Sequence, residues 1–246
     1  MTHTAVVTGA SAGIGAATAR HLAAEGFDVV LGARRVEALE AVAASCGGRA
    51  IALDVTDPSS VATFVAEVGP CRVLVNNAGG AFGADPMARV VDAEVQERWQ
   101  RMYDTNVLGL ARLTASLLPA LEESGDGHIV NVVSLAGFQA YPGGGGYVAA
   151  KHAARGVTGV LRLELLGRPV RVTEVDPGMV ETEFAAVAMG RADANELVYA
   201  GMTPLTADDV AEVIRFAVTR PSHVNLDRIV VQPRDQASAW HVHRER

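Results

Sequence analysis

Tyr147 and Lys151 stand four residues apart at the start of a predicted helix, so their side chains share one helix face. A nearby ammonium group favours the phenolate and lowers the pKa of a tyrosine, which suits the phenol to proton transfer near neutral pH. Such a pair also arises often by chance on a surface helix. Ser134 ends a predicted strand and adds a hydroxyl that could hydrogen-bond a substrate oxygen. The three side chains together predict acid–base chemistry on an oxygen-bearing substrate.

A glycine-rich turn follows the first predicted strand, with Gly9, Gly13 and Gly15 spaced as G-x-x-x-G-x-G. Glycines at such a turn let the backbone approach a pyrophosphate, whose charge is then met by the N–H groups of the next helix. The spacing differs from the standard G-x-G-x-x-G, and three glycines could serve only a tight strand-to-helix turn. Because the turn opens a βαβ unit, a dinucleotide site is the favoured interpretation.

Arg34 and Arg35 follow the second predicted strand, where an NAD-specific site would place an acid for the ribose 2′-hydroxyl. A guanidinium presents a planar pair of donors that suits the oxygens of a 2′-phosphate. The alternative is a pair of solvated arginines, although a cation at a helix N-terminus is electrostatically unfavourable. The arginines therefore predict NADP(H) rather than NAD(H) as the cofactor.

Three further polar side chains fall where they could reach such a site. Asp54 is placed to accept from an adenine amino group or, equally, to cap the next turn. Asn77 lies in the sequence Asn-Asn-Ala-Gly that ends the fourth predicted strand. Asn106 interrupts a long predicted helix with a side chain able to hold a water. Either asparagine could instead be a turn or cap residue.

Strands and helices must position these candidate site residues. The sequence shows short apolar runs that alternate with segments of helical periodicity, a pattern that requires crossover connections and a parallel sheet. The predicted strands are Ala5–Thr8, Asp28–Ala33, Ala50–Asp54, Val73–Asn76, His128–Ser134, Val170–Val175 and Arg228–Gln232. The predicted helices are Ile14–Glu25, Val36–Ala44, Pro58–Val68, Ala93–Glu122, Tyr147–Leu166 and Ala207–Val218. The fold class is therefore α/β: a single-domain Rossmann fold over residues 1–246, with a seven-stranded parallel doubly wound sheet and helices on both faces. Residues 181–204 lack strand signals and are predicted to form an insertion with short helices that acts as a substrate lid.

Composition narrows the possible partners. The hydrophobic fraction of 49% in 246 residues excludes disorder, and the net charge of −7 argues against nucleic acid. The longest uncharged stretch, residues 128–150, contains Asn, Gln and Pro, so no membrane span is predicted. Two cysteines and the lack of an export signal predict a cytoplasmic protein. No metal site is predicted, because His223, His241 and His243 have no partner at a recognised spacing.

The motifs occur in the order of a known family, and nearly the whole chain resembles a short-chain dehydrogenase/reductase. That resemblance implies hydride transfer between a nicotinamide and a carbon bearing a hydroxyl or ketone. It makes Tyr147 the general acid/base, with Lys151 lowering the pKa of Tyr147 and binding ribose, Ser134 orienting the reacting oxygen and Asn106 supporting a proton relay. The implied cofactor-binding residues are Gly9, Ser11, Gly13, Ile14, Gly15, Arg34, Arg35, Asp54, Val55, Asn77, Ala78, Gly79, Tyr147, Lys151, Pro177, Gly178, Val180 and Thr182.

The C-terminal half resembles the NADP-dependent 3-hydroxy acid (L-allo-threonine/serine) dehydrogenase branch in the segments Val172–Gly178, Glu183–Phe184, Pro221–Asn225 and His241–Arg244. That resemblance implies a small 3-hydroxy acid as substrate and a homotetramer. Two alternatives remain: a reductase of a larger ketone, and an NADP(H)-binding sensor without chemistry. Intact Ser134, Tyr147 and Lys151 favour an enzyme, since a sensor needs no tuned phenol. Arg191 is a candidate partner for a substrate carboxylate, with a solvated surface arginine as the favoured interpretation, and Trp240 is expected to pack against another element or subunit.

Overall fold

The alternation of apolar strands and helices is present in the computed structural model, which describes residues 3–245. The ends of the predicted 1–246 domain thus lie outside the described residues. The strands are β1 Thr4–Thr8, β2 Asp28–Ala33, β3 Arg49–Ala52, β4 Val73–Asn76, β5 Gly127–Val132, β6 Val170–Pro177 and β7 Arg228–Val231. The helices are α1 Gly13–Ala24, α2 Val36–Cys46, α3 Pro58–Val68, α4 Ala93–Tyr103, α5 Leu110–Glu123, α6 Gly145–Glu164, α7 Phe184–Met189, α8 Ala194–Tyr199 and α9 Ala207–Val218.

The seven strands form one parallel sheet in the order β3-β2-β1-β4-β5-β6-β7. The predicted α/β Rossmann fold is confirmed. The chain leaves β1 toward β2 on one side and returns with β4 on the other, so the strand order reverses between β1 and β4. Ligands in open α/β sheets bind beyond the carboxyl ends of the strands at such a reversal.

Both faces of the sheet are covered, as predicted. One apolar core includes Leu22 of α1, Leu39 of α2 and Ile214 of α9, each fully buried. The core on the opposite face includes Phe64 of α3 and Leu117 of α5. Strands buried on both faces account for the continuous Val, Ile and Leu runs in the sequence.

Two of the strands end two residues earlier than predicted, because polar side chains turn the backbone. Asp54 Oδ1 accepts from the backbone N–H and the hydroxyl of Thr56, at 2.9 and 2.7 Å, so β3 stops before it. Ser134 Oγ accepts from the Ala136 N–H at 3.1 Å and opens a short 3₁₀ turn, so β5 ends at Val132. Both residues therefore stand in loops at the carboxyl edge of the sheet.

The predicted helix Ala93–Glu122 is two helices joined by a six-residue π-helical segment, Asp104–Gly109. The Asn106 amide Nδ2 donates to the Met102 carbonyl at 2.8 Å, which supports the widened turn. The interruption at Asn106 is therefore present, as a π segment within otherwise continuous helical backbone.

The Trp240 side chain is 59% exposed in the single chain, so it is not buried against another element, and its packing against another subunit stays a prediction. The residue lies beyond β7, where the tail forms turns and a short bridge between Gln236 and Val242. No helix among residues 3–245 is long and apolar enough to cross a membrane.

Candidate active site

A cavity of about 660 Å³ opens at the carboxyl ends of the strands, where the strand order reverses. All the predicted cofactor-binding residues except Gly15 line it, and so do Ser134, Tyr147 and Lys151. The sequence-based set is thus brought together in one place, from the glycine turn at one end to Tyr147 at the other.

The glycine turn is shaped for close approach of the backbone to a ligand. Gly9 and Gly13 have φ of +63° and +54°, a conformation that side chains other than glycine rarely adopt. Gly15 lies behind the turn, and a Cβ there would come within 2.5 Å of the Gly9 carbonyl oxygen. The N-terminus of α1 has no side-chain cap and no acid in its first turn, so its N–H groups remain available to an anion.

Thr8 and Asn77 tie the turn to the end of β4. The Thr8 hydroxyl accepts from the backbone N–H groups of Asn77 and Ala78, at 3.0 and 2.9 Å. The Asn77 side-chain amide donates to the Thr8 carbonyl at 2.9 Å. Sequence reasoning missed Thr8, whose only signal is a polar side chain at the end of an apolar strand. This network holds the two sides of the cavity floor at a fixed separation.

Arg34 and Arg35 stand exposed at the end of β2 and line the cavity. Arg35 Nε donates to the Ser11 hydroxyl at 3.2 Å, and Arg35 Nη1 lies 2.8 Å from Glu183 Oε2. Both partners of this ion pair are more than half exposed, so it contributes little to stability and leaves the guanidinium free to exchange partners. The two arginines can hold a phosphate group here.

Asp54 forms the turn described above and also lines the cavity beside Val55. The position of Asp54 fits both a contact to an adenine amino group and the capping of the turn, because Thr56 uses only Oδ1.

At the other end of the cavity, Gly178 packs tightly against the Gln236 side chain, whose Oε1 accepts from the Met179 N–H at 2.8 Å. These contacts fix the loop after β6 that carries Val180 and Thr182.

Tyr147 and Lys151 lie one helical turn apart on α6 and face β5. Tyr147 is 8% exposed and Lys151 is 7% exposed. The Ser134 side chain lies close enough to the Tyr147 phenol to lower its pKa, and Lys151 Nζ donates to the Val132 carbonyl at 3.1 Å. Lys151 Nζ lies 5.7 Å from the centre of the Tyr147 ring. A hydroxyl, a phenol and an ammonium therefore meet at one end of the cavity.

The predicted lowering of the pKa of Tyr147 is not what this arrangement gives. Burial of the phenol and the neighbouring Tyr141 raise the pKa of Tyr147, and these effects exceed the lowering by the Ser134 side chain. Burial also lowers the pKa of Lys151 to about 8, with the charge of Asp176 acting in the opposite direction. A phenol that keeps its proton is suited to donate it to a substrate oxygen.

Asn106 is buried below the cavity and does not line it. Its amide Nδ2 donates to the Gly80 carbonyl at 3.0 Å, and its Oδ1 accepts from the Gly80 N–H at 3.2 Å. The side chain thus fixes the loop that follows Gly79. Its participation in a proton relay stays a prediction.

The substrate end of the cavity is built by residues that were not predicted individually, although most of them lie in the predicted lid segment 181–204. Phe184, at the start of α7, lies over Tyr147 with ring centres 5.4 Å apart. The Gly83 N–H donates to the Ala188 carbonyl at 3.1 Å, which joins α7 to the loop after β4. The apolar and aromatic residues that line this end are Phe82, Tyr141, Phe184, Val187, Met189 and Val198. They come from segments without a recognisable motif.

The remaining candidates lie elsewhere. Arg191 does not line the cavity and pairs with Asp193 at 2.7 Å, both side chains being more than half exposed. The surface interpretation of Arg191 therefore holds for this structure. Among residues 3–245, no group of three or more His, Cys, Asp or Glu side chains is arranged to hold a metal ion.

Comparisons with known proteins agree with this architecture. The family model for short chain dehydrogenases matches residues 3–196. The chain is 58% identical over 239 residues to an uncharacterized oxidoreductase of Mycobacterium tuberculosis, covering 96% of this chain and 92% of that protein. It is 39% identical over 253 residues to a serine 3-dehydrogenase of Agrobacterium fabrum, with all of both chains covered.

A solved structure extends the likeness to three dimensions. The closed form of serine dehydrogenase complexed with NADP⁺ superposes with a TM-score of 0.90 at 36% identity, covering 98% of this chain and 100% of that one. The sequence thus agrees with relatives over nearly its whole length, and the fold agrees with that of a solved structure. The chain therefore belongs to the short-chain dehydrogenase family and is an oxidoreductase of that family.

Proposed function

We propose that the chain is an NADP-dependent enzyme that transfers hydride between the nicotinamide and a carbon bearing a hydroxyl or ketone, with a small 3-hydroxy acid as substrate. The observation that carries this is a single cavity with Arg34 and Arg35 at one end and Ser134, Tyr147 and Lys151 at the other. The serine dehydrogenase with NADP⁺ and the serine 3-dehydrogenase support the cofactor and the substrate class, since serine is itself a 3-hydroxy acid.

The residues present fit NADP(H). The uncapped N-terminus of α1 and the glycine turn would hold the pyrophosphate, and Arg34 and Arg35 would hold the 2′-phosphate. Lys151 would hold the nicotinamide ribose, while Asn77, Gly79, Pro177 and Thr182 would border the rest. When bound, NADPH supplies the hydride, or NADP⁺ accepts it, and the protein supplies the proton chemistry.

The proton chemistry follows from the burial of Tyr147. In reduction, the Ser134 hydroxyl and the Tyr147 phenol would both hydrogen-bond the substrate oxygen, and Tyr147 Oη would give it a proton as negative charge develops. The ammonium of Lys151 favours the phenolate that remains. In oxidation, the same groups act in reverse. Phe184 and α7 would keep water from the reacting atoms, which is the function that we propose for residues 181–204.

A second candidate substrate is a larger, uncharged ketone. The described lining at the substrate end is apolar and aromatic, and Arg191, the predicted partner for a carboxylate, lies outside it. A fixed cation is the usual partner of a buried carboxylate, so this lining favours an uncharged substrate. The relatives favour the 3-hydroxy acid. The two candidates differ in whether the substrate carries a carboxylate, and this can be tested with the purified enzyme.

The substrate experiment compares initial rates of the purified enzyme. L-serine, L-allo-threonine and 3-hydroxypropionate are offered with NADP⁺, and bulkier uncharged alkyl and aryl ketones are offered with NADPH. Turnover of the hydroxy acids is the expected result. Turnover of the ketones alone would replace the 3-hydroxy acid by the second candidate, and a lack of turnover with every substrate, with NADPH still bound, would contradict both candidate substrates.

The cofactor experiment uses Arg34→Ser and Arg35→Ser. Each variant is expected to weaken NADPH binding by about tenfold, the loss of one charge-assisted contact to phosphate, and to leave NADH binding unchanged. Fluorescence titration measures both affinities. Arg168→Ser is the matched control, since Arg168 precedes β6 at the opposite edge of the sheet and pairs with Glu122. Equal weakening of NADH and NADPH would contradict a 2′-phosphate site.

We also propose a homotetramer in the cytoplasm. Val160, Leu163 and Leu166 on and after α6 are exposed, as are Phe216 on α9 and Trp240 in the tail. Exposed apolar side chains on two separate regions suit two subunit interfaces. Both cysteines are free thiols, which suits a reducing compartment.

A further inference from the structure

Two buried carboxylates lie on β6 beside the residues of the proposed proton chemistry. Glu174 and Asp176 are two residues apart on one strand, so they point to the same face of the sheet. They are 1% and 0% exposed. Arg228 of β7 contacts both, with Nε 2.6 Å from Asp176 Oδ2 and 3.3 Å from Glu174 Oε1. Buried charge of this kind is costly unless it is paired, so its retention next to the site calls for a function.

Asp176 contacts the end of β5 that carries Ser134. Its Oδ1 accepts from the backbone N–H of Ser134 at 3.3 Å. Lys151 Nζ donates to the carbonyl of Val132, two residues earlier, at 3.1 Å. In the sheet register Val132 lies opposite Val175, the residue before Asp176. Asp176 and Lys151 are therefore held against the same three-residue stretch of chain.

The charges around this cluster come from three elements. Those on α6 are Lys151, Arg155 and Arg162, those on β6 are Glu174 and Asp176, and the one on β7 is Arg228. Burial and the neighbouring Asp176 raise the pKa of Glu174. Asp176 is the anion whose charge raises the pKa of Lys151, against the lowering by burial.

We propose that Asp176 is a positioning residue of this site, which fixes the chain segment that holds Ser134 and the ammonium of Lys151. The inference rests on the proposed function, in which the ammonium of Lys151 holds the nicotinamide ribose and favours the phenolate of Tyr147. Asp176 has no place in the predicted set of site residues, because an acid inside a strand has no motif around it. Its effect on the reaction passes through Ser134 and Lys151 only.

The sequence offers a direct test, because Lys151 is the only lysine in the 246-residue chain. Protein labelled with ¹³C at lysine Cε gives one side-chain lysine signal, whose shift against pH reports the titration of this ammonium without substrate or cofactor. In Asp176→Asn the charge is removed while an oxygen remains to accept from the Ser134 N–H. The midpoint of the titration is expected to fall by about one pH unit or more.

Glu174→Gln is the matched control. It removes an acid of the same cluster, and Glu174 itself makes no hydrogen bond to Ser134 or Lys151. It is expected to leave the lysine midpoint close to that of the unaltered protein. Asp176→Ser is a second charge-removing variant of smaller volume, used if the asparagine variant does not fold. Carbonyl reduction by the asparagine variant should also lose activity at a lower pH on the alkaline side of the kcat profile, since the charged form of Lys151 is lost earlier.

Three outcomes separate this inference from the proposed function. An unchanged midpoint in folded Asp176→Asn or Asp176→Ser would overturn it, and so would equal shifts in the Asp176 and Glu174 variants, which indicate a cluster that is merely structural. A lack of turnover in the unaltered enzyme with every carbonyl compound would contradict the proposed function and leave the lysine titration interpretable.

Discussion

Replacing Tyr147 with Phe is expected to lower kcat for carbonyl reduction by about a thousandfold, within the range that a positioned proton donor contributes. The change removes one oxygen and keeps the ring against Phe184, so the packing of α6 and α7 should survive. Ser134 could still hydrogen-bond the substrate oxygen, but the phenol that transfers a proton to this oxygen would be missing. NADPH affinity, measured by fluorescence titration, should stay within a few-fold of its original value, because the 2′-phosphate, pyrophosphate and ribose contacts proposed above do not involve the phenol.

Tyr103→Phe supplies the control for this change. Tyr103 ends α4, is 42% exposed and does not line the cavity. The kcat of the Tyr103→Phe variant should therefore equal that of the unaltered enzyme. If Tyr147→Phe kept more than about a tenth of the original kcat, the proton donor would have to be another group. If instead NADPH binding were lost together with turnover, Tyr147 would be a structural residue of the cavity.

Residues that belong to a short local motif are the ones that could be predicted from the sequence. The glycine turn, Arg34, Ser134 and the Tyr147–Lys151 pair were each predicted because a short motif sits next to a strand or helix end, and all of these residues except Gly15 line one cavity. The sheet followed from the alternation of apolar strands with helices. These features are set by chemistry within a few residues, which a sequence displays directly.

The parts that were missed depend on contacts between distant segments. Phe184 reaches Tyr147 from a segment 37 residues later, and Asp176 reaches Ser134 across the sheet. The pKa of Tyr147 was expected to fall, because spacing on a helix reveals the lysine but not the depth of burial. Strand ends at β3 and β5 were misplaced because Asp54 and Ser134 turn the backbone through their side chains. Tertiary packing decides such properties.

Replacing Lys151 with Met is expected to abolish turnover and to make the folded protein more stable at pH 7. The native state holds a buried ammonium with a pKa of about 8, against an ordinary value of 10.5, so charging it opposes folding. At about 1.4 kcal/mol per pKa unit this cost is on the order of 3 kcal/mol. Losing the hydrogen bond to the Val132 carbonyl costs about 1 kcal/mol. Methionine has a similar length and packs readily, so a net gain of about 2 kcal/mol in the free energy of unfolding is expected.

The pH dependence of this gain identifies its cause. Between pH 8 and 10.5 the unfolded chain binds one more proton at Lys151 than the folded chain does, so the stability of the unaltered protein rises with pH through that window. The variant has no such term, and its advantage should therefore shrink as the pH rises from 7 toward 10. Urea unfolding of both proteins at several pH values measures the difference, in which the titrations of the other groups largely cancel. A variant that is less stable at pH 7, or whose advantage grows with pH, would mean that the ammonium is stabilised by its surroundings. The site would then retain Lys151 without the opposition between catalysis and stability inferred from its burial.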